Sequence, residues 1–290
     1  MVELLLQSLY SGLLSGGSYA LIALGLALVF GTMKVINLAH GEMVLLAAYL
    51  AYFMESRLAV TPLAALPLAL VVTSLVAVAV YFLISRITKN RELNSLILTF
   101  GIGIILTNAI LMIWSADIHS TSSTGLQNPV TFGPFSSMWS ELIFFGASMV
   151  VVAVLWWWLS RSWYGRAVRA VSSDRDAAKL MGINPHRTEV VSFLVAGILA
   201  SIAGVALYCT GVIQPALGAS LTTKAFIITV LAGIGSIPGL LVGSVLIGVV
   251  ESLTVTLYSS SIQELTGMVL FLLVLFVLPN GLFGSARRRG

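Results

Sequence analysis

The stretch TTKAFIITVLAGIGSIPGLLVGSVLIGVV, residues 222–250, decides the fold because it is almost wholly apolar yet interrupted at its centre. Gly233, Gly235, Pro238 and Gly239 stand at the interruption. Proline removes a backbone donor, and glycine weakens a helix. The stretch therefore predicts either one kinked membrane span or a re-entrant hairpin of two short helices, each of about a dozen residues.

The rest of the chain has the composition of a membrane protein. Of its 290 residues, 58% are hydrophobic and 9% are charged, whereas roughly 25% of an ordinary soluble domain is charged. Apolar runs of about 20 residues, the length that crosses a bilayer, recur throughout. The predicted spans are 4–30, 35–54, 62–84, 96–114, 142–160, 190–213, the divided segment 222–250, and 264–278.

These runs predict helices, since they lack the period-two alternation of a membrane barrel strand. We therefore expect an all-α polytopic membrane protein with about eight transmembrane segments, in which residues 1–290 form a single transmembrane domain. Small residues recur at four-residue spacing in two spans, as Gly12, Gly16 and Ala20 and as Ala196, Ala200 and Gly204. Such stripes allow close helix approach, so they predict a compact bundle, with or without a second subunit packed against it.

The placement of basic residues chooses between the two forms of the divided segment. If the 161–188 loop is cytoplasmic, the hairpin leaves 13 of the 15 Lys and Arg inside, whereas the kinked span also moves the tail arginines 287–289 outside. Lys and Arg concentrate in cytoplasmic loops, so the hairpin is favoured. The same topology places the C-terminus inside, and the N-terminus and the loop 115–140 outside.

The central loop, SRSWYGRAVRAVSSDRDAAKLMGINPHR, predicts a short helix over 174–181. Ser173 and Asp176 resemble a capping box, Asp174 lies at the positive helix end, and Gly182 and Pro185 stop the helix. Its few apolar residues are Ala177, Ala178, Leu180 and Met181. This pattern fits two structures, a surface helix that lies among lipid headgroups or a docking helix for a cytoplasmic partner.

Polar residues also interrupt the second span, VINLAHGEMVLLAAYLAYF, residues 35–53. On a helix, Asn37 and His40 would be neighbours on one face, and Glu42 would point elsewhere. An ionised carboxylate at mid-membrane costs about 2.5–3.5 kcal/mol or more, so we expect these residues within two turns of the cytoplasmic end. There Glu42 would reach water, a partner or a helix N-terminus.

Three roles remain open for Asn37, His40 and Glu42: polar contacts that hold helices or subunits together, a share in a translocation path or its gate, and a metal or catalytic site. The last is disfavoured, because His-Gly-Glu lacks the two-histidine spacing of helix-borne zinc sites. We predict no metal-binding and no catalytic residues. For Gly233, Gly235, Pro238 and Gly239, a packing kink competes with non-helical backbone that lines a water-filled path.

Three segments resemble one family, the LivH-type permease subunits of bacterial ABC importers for branched-chain amino acids; permeases of urea and short-amide importers are closely similar. The segments are SGGSYALIALGLALVFGTMKVINLAHGEMVLLAAYLAYF, RAVSSDRDAAKLMGINPHRTEVVSFLVAGILASIAG and LAGIGSIPGLLVGSVLIGVVES. The resemblance implies an inner-membrane location, a second homologous permease, two ATPase subunits and a periplasmic or lipid-anchored binding protein. It also implies that the segment from Ser173 to Gly182 is the coupling helix that docks on an ATPase.

The residues exclude one activity independently. A phosphate-binding loop requires Gly-Lys followed by Ser or Thr, and none of the four lysines follows a glycine. We therefore expect a transport subunit that is not an enzyme and carries no cofactor, with ATP and Mg²⁺ on partner subunits. Two other classes compete with the permease. An autonomous ion-coupled carrier would transport alone and need no docking helix, and a membrane enzyme is disfavoured by the spacing of His40 and Glu42.

Overall fold

The computed structural model describes residues 1–87, 89–122, 125–233, 235–279 and 281–283. Helices dominate this part of the chain, with two single-turn 3-10 helices at Pro62–Ala65 and Ser260–Ile262. The α-helices are α1 Val2–Met33, α2 His40–Leu58, α3 Leu66–Ser85, α4 Arg91–Trp114, α5 Trp139–Arg161, α6 Trp163–Ser173, α7 Arg175–Leu180, α8 Pro185–Thr210, α9 Leu217–Ala232, α10 Ile237–Leu257 and α11 Gln263–Val277. The strands are β1 His119–Ser120, β2 Pro129–Phe132, β3 Phe135–Met138 and β4 Val212–Ile213.

Seven helical segments of the described chain are long and apolar enough to cross a membrane: α1, α4, α5, α8, α10, and the segments Pro62–Ser85 and Ser260–Val277, in which a 3-10 helix leads into α3 and into α11. α9 is apolar but shorter, with 16 residues, and α2 has 19. The prediction of an all-α polytopic membrane protein is confirmed.

The two stripes of small residues pack within this chain. A Cβ atom on Gly12 would lie 2.5 Å from Val249 Cα, and one on Gly16 would lie 2.6 Å from Val245 Cα, so α1 and α10 run antiparallel in close contact. Gly204 of α8 meets Ala47 of α2 in the same way, at 2.6 Å from its Cβ. Without a hydrophobic effect between helices in lipid, such close packing supplies the attraction.

The short strands identify one end of the bundle, here called the sheet end. β1 pairs antiparallel with β4, and β2 with β3. Gln7 near the start of α1 donates to the Ser136 carbonyl oxygen at 2.6 Å, and the Tyr10 hydroxyl lies 3.0 Å from Ser137 Oγ. The N-terminus and the β2–β3 hairpin therefore lie at the same end, and α6 and α7 lie at the other, here called the α6–α7 end.

The divided segment is a helical hairpin and not a kinked span. Gly233 and Gly235 have positive φ of 87°, and Ser236 begins α10 by accepting a hydrogen bond from Gly239 N at 3.1 Å. Pro238 fits the first turn, where no backbone donor is needed. The expected length was wrong, since the helices have 16 and 21 residues, and α10 is long enough to cross alone. The tail arginines 287–289 lie outside the described residues.

Candidate functional site

The second span begins later than the sequence predicts. α1 ends at Met33, Lys34 has a left-handed φ of 56°, and helical structure resumes only at His40. Asn37 lies in the turn before α2, where its Oδ1 accepts from Ala39 N at 3.1 Å. The expected pairing of Asn37 and His40 on one helix face is therefore wrong, because only His40 and Glu42 belong to the helix.

The start of α2 also lies deep in the bundle. His40 Nε2 donates to the Ile22 carbonyl oxygen at 2.9 Å, and Ile22 stands about three turns, roughly 16 Å, from the end of α1 at Met33. His40 is fully buried and also packs against Gly25. The expectation that these polar residues lie near the cytoplasmic end is wrong, because the chain turns back into the bundle before the helix begins.

A second helix begins at the same place. The first two turns of α9 pack on the first turn of α2, with Gly41 N donating to Thr222 Oγ1 at 2.8 Å. A Cβ atom on Gly41 would overlap the Gly218 carbonyl oxygen and lie 2.6 Å from Thr222 N. Glycine is therefore required at position 41 for the two backbones to touch. We call this contact between the starts of α2 and α9 the interior junction.

Glu42 lies in the interior junction with only 4% of its surface exposed. Its carboxylate packs against Gly218, where any Cβ atom would overlap it, and Oε2 has no hydrogen-bond partner among the described residues. The first turns of two helices, α2 and α9, surround it. Helix N-termini carry partial positive charge, so the dipoles of α2 and α9 favour a negative charge at this position.

The interior junction gathers only some of the predicted path residues. Glu42 lies there against Gly218 of α9, whereas His40 bonds to α1 and Asn37 bonds within the turn before α2. Beside them, Thr99 Oγ1 of α4 accepts from Leu38 N at 3.1 Å. Thr222, which sequence reasoning placed only at the edge of the divided segment, completes the group. No local signal marks this convergence, because the partners are far apart in sequence.

The other predicted path residues lie at the opposite end of α9. Gly233, Gly235 and Pro238 line a cavity of about 590 Å³ beside α1, α5 and α6, with Arg169 and Ser172 on its polar side. Gly239 is buried against the Ala232 carbonyl oxygen and does not line the cavity. Non-helical backbone at this break therefore borders open space, which is where such backbone is tolerated in membrane proteins.

The predicted surface helix exists, with a different cap. α7 spans Arg175–Leu180, and its N-cap is Asp174, whose Oδ1 accepts from Asp176 N and Ala177 N at 2.9 Å each. Ser173 is instead the last residue of α6, so the capping-box prediction is wrong: the carboxylate one position later occupies the cap. Gly182 follows with a φ of 80°, a left-handed conformation that commonly ends a helix.

α6, the helix before α7, was not predicted, although Ala167 and Val171 at i and i+4 mark its buried face. Ser162 caps it by accepting from Gly165 N at 3.0 Å. The Tyr164 hydroxyl donates to the Thr188 carbonyl oxygen at 2.6 Å, and burial raises the pKa of Tyr164 to about 12, so it remains a donor at physiological pH. α6 is thereby fixed to α8.

The tip of α7 presents apolar side chains to the surroundings. Leu180 and Met181 are 89% and 82% exposed, whereas Ala178 is buried. Asp176 and Lys179 form an exposed ion pair at 3.0 Å. All of the predicted docking residues except Ala178 are exposed, namely Ser173, Asp174, Asp176, Ala177, Leu180 and Gly182.

α7 is tied to the bundle through Glu189 of α8, a buried carboxylate that the sequence did not single out. Arg175, the first residue of α7, approaches it with Nε 3.1 Å from Oε1. Arg91 of α4 lies 3.5 Å from Oε2, and the Tyr81 hydroxyl of α3 donates to Oε2 at 3.0 Å. Four helices therefore meet at one carboxylate beside the candidate docking helix.

The chain is similar in sequence to known permease proteins along nearly its whole length. Residues 8–278 match the family model described as "Branched-chain amino acid transport system / permease component". The chain is 33% identical to "High-affinity branched-chain amino acid transport system permease protein BraD" of Pseudomonas aeruginosa, over 96% of this chain and 95% of BraD. It is 30% identical to the LivH permease protein of the high-affinity branched-chain amino acid transport system of Salmonella typhimurium, with the same coverage.

One solved structure shares the fold. A chain of "PsaBC from Streptococcus pneumoniae in complex with Fab" superposes with a TM-score of 0.54 at 14% identity, covering 93% of this chain and 92% of that one. This similarity concerns the arrangement of the helices alone.

Proposed function

Because this chain belongs to the branched-chain amino acid transport system permease family, we propose that it forms half of the translocation path of an ABC importer, and that a second, homologous permease subunit forms the other half. The single observation that carries this proposal is the exposed face of α9. Ala219 and Thr223 are exposed and Ser220 is half-buried. Polar side chains in a span rarely face lipid, so this face suits a water-filled path between two subunits.

The interior junction would form the inner wall of this path. Discontinuous helices with interior N-termini are typical of membrane transport sites, and here the starts of α2 and α9 meet beside Glu42. We assign Asn37, His40 and Glu42 to this wall or its gate. Gly233, Gly235 and Pro238 would border its exit at the α6–α7 end, with Gly239 behind them as a packing residue.

ATP hydrolysis would belong to two partner ATPase subunits, which would carry ATP and Mg²⁺, since this sequence has no Gly-Lys pair for a phosphate-binding loop. We assign the segment from Ser173 to Gly182 as the docking element, and Leu180 and Met181 as its apolar contacts. The basic loop 161–188 would then be cytoplasmic, and the sheet end would receive the substrate from a binding protein.

We take branched-chain amino acids as the substrates, because the permease relatives named above serve such transport systems. The test is purification of the chain in mild detergent from its native membrane, identification of co-eluting subunits, and ATPase assays with binding protein and leucine. We expect two ATPases, a second permease, and stimulation by liganded binding protein. Stimulation by urea or a short amide instead would overturn the substrate, and a chain that elutes and transports alone would overturn the importer in favour of an ion-coupled carrier.

A matched pair of variants tests the docking element. Leu180→Ser combined with Met181→Ser removes the exposed apolar tip of α7, and we expect co-elution of the ATPases to fall at least tenfold. Leu93→Ser is the control, because Leu93 is an exposed apolar residue, 61% exposed, near the start of α4 at the same end. Equal losses in both variants would contradict the docking role of α7.

A further inference from the structure

A second group of buried charges lies on α9, away from the interior junction. Lys224 Nζ is 2.9 Å from Glu251 Oε2 of α10 and 3.1 Å from the Tyr19 hydroxyl of α1. Gln263 of α11 also donates to Glu251 Oε2, at 3.1 Å. An ammonium group has three donors, and these contacts use two of them, so one donor of Lys224 remains.

These charges line a cavity of about 230 Å³ between α9, α10 and α11. Its polar wall consists of Ser220, Thr223, Lys224, Glu251 and Glu264. The apolar wall includes Ile227, Ile247 and Met268, which lie about one turn away on the same three helices. A small cavity with a few convergent polar groups and an apolar wall is typical of a site for a small ligand.

The charges in this cavity do not cancel. Lys224 and Glu251 form an ion pair and neutralise each other. Glu264 accepts a hydrogen bond from the Ser220 hydroxyl and has no cationic partner in the described part of the chain. Ser220 and Lys224 are i and i+4 on α9, which places their Cβ atoms roughly 5–6 Å apart. The Lys224 ammonium group and the Glu264 carboxylate, which accepts from Ser220, therefore line one cavity, and an α-amino acid carries one group of each opposite charge.

We propose that this cavity binds the transported amino acid as a zwitterion. The remaining donor of Lys224 binds the α-carboxylate, Glu264 binds the α-ammonium group, and the apolar wall contacts the branched side chain. Glu251 and Tyr19 hold Lys224 in position. This assignment rests on the proposed function, since it names the place on the α9 face at which the substrate is held.

Cysteine labelling tests occupancy of the cavity directly. Cys209 is the only cysteine of the chain and is fully buried, so a cysteine introduced by Thr223→Cys reports on the cavity in an otherwise natural chain. We expect leucine, added with binding protein and ATP to the full complex, to slow labelling by a membrane-impermeant thiol reagent at least fivefold. Thr131→Cys, on the exposed β2–β3 hairpin, is the control, whose labelling leucine does not change. Failure of Thr223→Cys to label, or labelling unaffected by leucine, overturns the site.

Charge exchange separates substrate binding from simple stabilisation. Lys224→Glu combined with Glu251→Lys preserves the ion pair but moves the ammonium group from α9 to α10. We expect the exchanged complex to assemble and yet import leucine at less than a tenth of the wild-type rate. Wild-type uptake in the exchanged complex would show that the pair only holds α9 to α10, and would refute the role of Lys224.

Glu264→Gln supplies an independent measurement if the exchanged chain does not assemble. The matched control is Glu3→Gln, because Glu3 is an exposed carboxylate in the first turn of α1 at the sheet end. We expect the first to lower leucine uptake at least fivefold and the second to leave uptake unchanged; equal uptake in both would refute the role of Glu264. Different results would refute the two proposals. A wild-type complex whose ATPase activity leucine does not stimulate would refute the proposed function. A complex that imports leucine, but in which leucine does not slow labelling of Thr223→Cys, would refute only this binding site.

Discussion

Replacement of Gly41 by alanine probes the interior junction most directly, because the added methyl group has no free space. Its Cβ would lie 2.5 Å from Thr222 Oγ1 and 2.6 Å from Thr222 N, and would overlap the Gly218 carbonyl oxygen. Two of these three atoms belong to the α9 backbone, so a side-chain rotation cannot relieve the overlap. α2 and α9 must instead separate by roughly 1 Å to restore ordinary van der Waals distances.

The cost follows from three contributions. Overpacking of a tight interior costs about 1–3 kcal/mol. Separation also weakens the hydrogen bond from Gly41 N to Thr222 Oγ1 and the one from Thr222 Oγ1 to the Leu38 carbonyl oxygen, at about 1 kcal/mol each. Alanine recovers up to about 1 kcal/mol through its higher helix propensity. The net loss is about 3 kcal/mol, roughly a hundredfold in the unfolding equilibrium.

Equilibrium unfolding of the purified chain in mixed micelles of mild detergent and dodecyl sulfate, followed by tryptophan fluorescence, measures this loss, since the chain has six tryptophans. Gly31→Ala is the matched control, because a Cβ atom there meets nothing within 4 Å. We expect Gly31→Ala to be as stable as the wild type or up to about 1 kcal/mol more stable. If Gly41→Ala and Gly31→Ala have the same free energy of unfolding, the starts of α2 and α9 do not touch as described.

Other variants separate function from stability. Glu42→Gln should lower leucine uptake at least tenfold while the amount of assembled subunit stays near normal; loss of the subunit from membranes, with normal uptake per remaining complex, would show that Glu42 only holds helices together. Glu189→Ala should destabilise the chain by about 3 kcal/mol, because Arg91, Arg175 and Tyr81 lose the carboxylate that they contact. A variant as stable as the wild type in mixed micelles would contradict this. Asp176→Asn, which breaks an exposed pair, should change stability by less than about 0.5 kcal/mol. Tyr164→Phe should cost about 1 kcal/mol in the same unfolding assay, and no cost would mean that α6 is not fixed to α8 through this hydroxyl.

The membrane helices were predictable because each depends on a local property, a long apolar run, and the stop at Gly182 was predictable because a helix end has a local chemical signature. The start of α2 was not. Its N-cap is Ala39, which is not a typical capping residue, and depth in a bundle is set by neighbouring helices rather than by nearby residues. The same reason explains why Glu189 escaped notice, since its partners Arg91 and Tyr81 lie on other helices.

α9 links these separate features into one mechanical unit. One face of its first turns, Gly218 and Thr222, touches α2 at the interior junction, and another face, Ser220 and Lys224, lines the 230 Å³ cavity. Its last turn borders the larger cavity beside α6. A rigid helix cannot move at one of these places without moving at the others, so a displacement of α6 that reached α9 would change the surroundings of Glu42 and of Lys224 together. Because each buried charge is stable only while its partners stay in place, such a displacement would favour release of anything held between Lys224 and Glu264.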